Sequence, residues 1–115
     1  MVNGYFYTID VAHPPMHPDD VEDLLLRTLL LVRNRKDLRV IKVIHGYGSG
    51  GSGGQTLETV RNWAFNQRHH LEGIIYGESY ARTDKTTEAL LQECGPAPDE
   101  DLDAGNRGVT LLWVE

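Results

Sequence analysis

Residues 39–45, RVIKVIH, are a short run dominated by β-branched side chains, the pattern of a strand covered on both faces of a sheet. Such a strand cannot be stable alone, and the chain supplies partners and cover on either side of it. Ahead of it, Pro18 is placed as a first helical residue and Asp19 and Asp20 suit the positive end of a helix dipole. Val21, Leu24, Leu25, Thr28, Leu29 and Val32 then recur at helical spacing, predicting a helix that ends near Arg33 with a basic exit, VRNRK. Behind it, Leu57, Val60 and Ala64 predict a second helix from Thr56 towards the RHH at 68–70, with Trp63 and Phe65 read as core rather than surface.

Further strands are predicted in YFYTIDV at 5–11, LEGIIYGE at 71–78 and VTLLWVE at 109–115. Between the last two, TDKTTEALLQEC reads as a helix of about three turns, and GPAPDEDLDAGNRG as a polar loop. The order β-α-β-α-β-(loop or helix)-β predicts one α/β domain over residues 1–115, with parallel neighbours in the sheet and helices on one or both faces.

Composition narrows the partners. With 40% hydrophobic and 24% charged residues the chain is globular in type rather than disordered. Cys94 is the sole cysteine and has no intramolecular disulfide partner. The N-terminus lacks a signal-peptide layout, and no apolar run approaches the roughly 20 residues of a membrane span. A soluble, cytoplasmic protein with no membrane partner is expected. The net charge of -6 argues against phosphate binding, but Glu93, Asp99, Glu100, Asp101 and Asp103 carry five of the 17 acids, and without them 12 acids face 11 bases.

His45 ends its strand and opens the stretch HGYGSGGSGG, in which six of the nine positions from Gly46 to Gly54 are glycine. A Gly-rich turn between strand and helix is a place to hold an anion on backbone N–H groups. An ATP or GTP P-loop is excluded, because no lysine lies between Tyr47 and Asn66. The G-x-G-x-x-G spacing of Gly46, Gly48 and Gly51 is almost unavoidable in such a run, and it follows the second strand rather than the first. SGGSGG by itself reads as a flexible connector, whereas His45 and Tyr47 are not linker residues.

VIKVIHGYGSG, the helix beginning LETVRNW and the closing GNRGVTLLWVE resemble the Smr (small MutS-related) domain, whose strand-then-H-G-x-G motif is matched by His45, Gly46 and Gly48. YTIDV with its leucine-rich helix is similar to that family's first strand and helix, so the resemblance spans nearly the whole chain. It implies a two-layer β-α-β-α-β-β sandwich with a four-stranded mixed sheet, like the C-terminal domain of translation initiation factor three. It also implies a nucleic-acid partner, DNA or RNA, and endonuclease (hydrolase) activity of the kind used in DNA repair or RNA processing. A ribosome or a larger host protein is the implied setting. Ile9 and Asp10 correspond to the start of the family's L-D-x-H-G signature, but Ala12 stands where its His belongs and His13 is displaced by one.

The candidate catalytic residues are therefore His45, Asp10 and His13, the imidazoles as acid or base and Asp10 as the group that orients one or holds a metal. Two roles are open to His45, proton transfer or capping of the strand and its loop; Asp10 is open in the same way to a turn role. Gly46, Tyr47 and Gly48, with Arg39, Lys42 and Arg61 from the chain's basic positions, are the candidate nucleic-acid contacts. His13 and His17 are four apart, but the prolines between them preclude the helix that would bring both rings to one ligand face, and no resident cofactor is expected, a divalent metal remaining compatible with Asp10. The alternatives are a non-catalytic nucleic-acid or protein interaction module on the same fold, and a small-anion or nucleotide-binding domain.

Overall fold

The computed structural model describes residues 1–47 and 53–115. Among them the order is β1 (Val2–Asn3), β2 (Phe6–Asp10), α1 (Pro18–Arg33), β3 (Val40–Ile44), α2 (Gly53–Asn66), β4 (Leu71–Tyr76), α3 (Lys85–Cys94) and β5 (Val109–Val114). The strands lie in one mixed sheet ordered β1-β2-β3-β5-β4. β2 and β3 are parallel, and β5 is antiparallel to both β3 and β4, so β2, β3 and β4 all point the same way.

The sheet has five strands where the resemblance implied four. The extra strand exists because Gly4, in the left-handed region at φ 57°, turns Val2–Asn3 back onto Phe6–Tyr7. The second departure concerns layers. α1 and α2 cover one face, where Val21, Leu25, Leu29 and Val32 of α1 and Val60, Trp63 and Ala64 of α2 pack on Ile9, Ile41, Val43 and Leu112. The opposite face is covered as well: Tyr80 and Leu90 pack on Phe6, Val40, Ile75, Leu111 and Trp113, with Ala97 and Leu102 at the margin. β3 and β5 therefore carry apolar side chains on both sides, in keeping with the unbroken RVIKVIH and VTLLWVE runs. Phe65 departs from the expected core position: it follows Ala64 by about 100° around the helix and is 58% exposed.

Local signals explain the helix ends. His17 caps α1 by accepting the Asp19 N–H on Nδ1 at 3.2 Å, and Asp84 caps α3 by accepting from Thr87 N at 3.0 Å and Thr87 Oγ1 at 2.8 Å. His17 is thus engaged as a cap. The chain leaves β4 through Gly77, where a Cβ would meet the backbone carbonyl oxygen of Asn106 and come within 2.7 Å of Val109 Cγ2 and O. Backbone on the far side cannot move aside as a flexible side chain can. Gly77→Ala is expected to lower stability by about 3 kcal/mol, read as a shift of the urea midpoint; an unchanged midpoint would show that the 106–109 segment is not held against β4.

Candidate active site at the carboxyl edge of the sheet

Because β2 and β3 are parallel with Asp10 opposite Ile44, the chain leaves both at one edge of the sheet. The two exits touch. Val11 N–H donates to Ile44 O at 2.9 Å, and the Cα of Gly46, at φ 84°, faces Ala12 closely enough that a Cβ there would lie 3.9 Å from Ala12 Cβ. Gly108, at the entry to β5, closes the group: its carbonyl accepts from His45 N at 2.9 Å and Gly46 N at 3.1 Å. The exits after Asp10 and Ile44 and the entry to β5 at Gly108 are therefore one place in space.

Asp10 organises it. Its Oδ1 accepts the N–H groups of Ala12 at 2.8 Å and His13 at 3.1 Å, an Asx-type turn that swings His13 back over the strand end. His13 Nδ1 then lies 3.0 Å from Asp10 Oδ2 and 3.2 Å from Oδ1. Burial by itself raises the Asp10 carboxyl, but the Ala12 N–H and the ring and charge of His13 outweigh it and hold Asp10 below the ordinary carboxylate range. An ionised carboxylate only accepts, so Nδ1 carries the proton and Nε2 is left for another partner. The His13 side chain is 75% exposed. His13 thus pairs with Asp10 at the end of β2.

His45 is placed differently. It is fully buried on the α1/α2 side, with Nδ1 2.8 Å from Gly46 O and Nε2 2.8 Å from Thr110 Oγ1. A carbonyl only accepts, so Nδ1 donates to Gly46 and the bare Nε2 accepts the Thr110 hydroxyl proton. Thr110 Oγ1 in turn accepts from Arg61 Nε at 3.1 Å, which completes a chain that suits the neutral imidazole. Burial, against the bond to Gly46 O and together with the Arg61 charge, pushes the His45 pKa down. Of the two roles open to it, this geometry is that of the strand-and-loop cap, out of reach of a bound molecule.

The basic residues are largely occupied. Arg61 forks onto Glu78 at 3.0 and 2.7 Å and covers the Tyr76 ring with its guanidinium 3.9 Å from the centroid. Lys42, only 9% exposed, meets Asp99 at 2.6 Å and Asp101 at 2.5 Å on the opposite face of the sheet, where Tyr80 OH and Asn106 Nδ2 also donate to these carboxylates. Arg39 pairs with Glu93 at 2.5 Å. Each of the three cations expected to meet phosphate thus has a carboxylate partner inside the chain. Arg33, Arg35 and Lys36 line a cavity of about 460 Å³ with Val114 and Glu115, at the sheet end opposite Asp10. Gly46 lends its N–H to Gly108 rather than to solvent, Tyr47 is 61% exposed beside it, and Gly48 lies outside the described residues.

No family model, curated protein or solved structure matches the chain. The residues that connect the edge, Thr110, Glu78 and Arg107, were not legible as site residues in the sequence. Thr110 is a polar position in an apolar strand, which is a usable signal; Glu78 and Arg107 sit in connections and carry none. Arg107 is exposed next to Gly108, makes no ion pair or hydrogen bond among the described residues, and its charge helps the Arg61 bond, against burial, to hold Glu78 below the ordinary carboxylate range. Among the described residues no group of three His, Cys, Asp or Glu side chains is arranged to hold a metal ion.

Proposed function

We propose that the chain is an Smr-like domain that binds nucleic acid at the carboxyl edge of β2 and β3 and cleaves a phosphodiester bond there. His13 serves as general acid–base and Asp10 as the group that fixes its tautomer. The observation that carries this reading is the Asp10–His13 pair, 3.0 Å apart, at the joint of the β2 and β3 exits. A neutral imidazole with Nδ1–H on a carboxylate offers Nε2 to take the proton of an attacking water or ribose hydroxyl, and the imidazolium returns it to the leaving oxygen. Arg107 supplies positive charge beside the reacting phosphate, and the exposed Tyr47 ring offers a surface for an adjacent base. Both Asp10 oxygens are already in contact with the His13 ring.

A second reading, a non-catalytic interaction module on the same fold, is favoured by the internal pairing of Arg39, Lys42 and Arg61. Titration with single-stranded and duplex DNA and RNA over a range of salt separates the two. With few cations left to meet phosphate, log K against log salt is expected to fall with a slope of only about -1 to -2. Binding with cleavage supports the nuclease, binding without cleavage supports the module, and no binding to any nucleic acid at low salt removes both as nucleic-acid readings.

A further inference from the structure

A second concave site wraps the outer edge of β4. It is a cavity of about 240 Å³ lined by Ile74, Ile75 and Tyr76 of β4 together with Phe65, Ser79, Asp84 and Thr86. Next to it the start of α3 lies close to β4 at Gly73, where a Cβ would stand 2.8 Å from the Thr86 Cγ2 methyl. That volume is below the roughly 300–1,000 Å³ of pockets that take drug-sized molecules, and suits one ring system.

The lining selects the chemistry of the occupant. Phe65 and Tyr76 are 58% and 41% exposed, so two large rings present free surface on either side of the cavity. Each already carries a guanidinium, Arg68 at 4.1 Å from the Phe65 centroid and Arg61 at 3.9 Å from that of Tyr76. The rings' affinity for cations is therefore taken up, and a cationic ligand would be repelled by both arginines. The Asp84 carboxylate disfavours an anionic group inside the cavity itself, while the two arginines outside the rings suit the phosphates of a strand that enters it. A neutral planar ring is favoured by the remaining ring surface, and by polar groups with capacity to spare. Asp84 uses Oδ2 for the α3 cap, leaving Oδ1, and the Ser79 and Thr86 hydroxyls make no hydrogen bond among the described residues. One carboxylate acceptor beside two hydroxyls matches the amino, imino and carbonyl edge of a nucleobase.

We infer that this cavity receives a single unstacked base of a bound single strand. The inference rests on the nucleic-acid reading and names the form of the substrate. Tyr76 ends β4 at the same edge of the sheet as Asp10, because both strands run the same way, and Tyr76 lies opposite Thr110, which bonds His45. Three strand spacings, roughly 14 Å, separate β4 from β2 across that edge, so a strand held by its base at Phe65 and Tyr76 continues over Arg107 and Gly108 towards His13.

The test is a titration with a short single-stranded oligonucleotide, its base-paired duplex and individual nucleosides, followed by NMR of the Ile74 and Ile75 methyl groups and the His13 ring. For wild type, the single strand and at least one nucleoside are expected to shift the isoleucine methyls. Phe65→Ala, at an exposed site that leaves the core intact, should weaken single-strand binding about tenfold and leave duplex binding unchanged. Thr86→Val, which keeps the side-chain shape, should alter the preference among nucleosides. If the single strand shifts His13 but not the methyls, and Phe65→Ala binds as wild type does, the base site is overturned while the edge reading stands. If no oligonucleotide binds, both are overturned.

Discussion

His13→Ala is expected to lower single-turnover phosphodiester cleavage by about 10²–10⁴-fold, with the fold unchanged by circular dichroism. The side chain is 75% exposed and, among the described residues, its hydrogen bonds are to Asp10 alone, so its loss removes chemistry with little packing. Asp10→Asn is expected to follow it part of the way, since an amide can donate to Nδ1 and favour the wrong tautomer. His45→Ala should behave in the opposite manner. It leaves Gly46 O without its imidazole donor and the Thr110 hydroxyl proton without its acceptor, while Arg61 still donates to Thr110 Oγ1, and is expected to cost about 1–3 kcal/mol of stability, with cleavage by the folded fraction largely retained. The pH dependence carries the same sign. The folded-state pKa of His45 is depressed, so its contribution to stability is present above the unfolded value near 6.5 and is lost as pH falls through the folded one. Full cleavage by His13→Ala together with none by a folded His45→Ala would falsify the assignment.

Lys42→Met is expected to destabilise the domain by about 3–5 kcal/mol, because it leaves the Asp99 and Asp101 carboxylates close together with no cation between them. The triple change Lys42→Met, Asp99→Asn, Asp101→Asn should recover most of that loss. The urea midpoint checks both; equal midpoints for wild type and Lys42→Met would show that the carboxylates are held by water instead. Burial opposes the charge of Lys42, yet the bonds to Asp101 and Asp99 win and raise its pKa. Asp101 is likewise raised by burial and lowered further by Lys42 and Asn106, ending below its ordinary value. The contribution of Asp101 is lost as pH falls through its depressed pKa, and that of Lys42 as pH rises through its raised one. The gap between wild type and Lys42→Met is therefore expected to be widest between about pH 5 and 9 and to narrow on both sides. Nucleic-acid affinity per folded molecule should not change, since Lys42 is committed inside.

Most of the fold was legible from local pattern. The first helix ends where Pro18, the acidic first turn and the basic exit placed it, and the runs around Phe6–Asp10, Val40–Ile44, Leu71–Tyr76 and Val109–Val114 became strands. These succeed because each is specified by its own period and its own ends. Val2–Asn3 was not legible as a strand, since two residues carry no period, and it exists only because Gly4 turns it onto β2. Phe65 and Trp63 were alike as sequence, two large rings two positions apart, and only the angle at which α2 meets the sheet separated them.

The site divides along the same line. By itself the sequence determined that an Asp and a His close two short strands and that glycines follow, because those signals are contiguous in the chain. Which histidine faces solvent was decided by tertiary structure: the Asx turn at Asp10 turns His13 outward, while the pairing of β3 with β5 seals His45 between Gly46 and Thr110. The fate of the cations was decided there too. Lys42 and Asp99 are 57 positions apart and Arg39 and Glu93 are 54 apart, so the carboxylates that neutralise these charges meet them only after the chain has folded over the second face of the sheet.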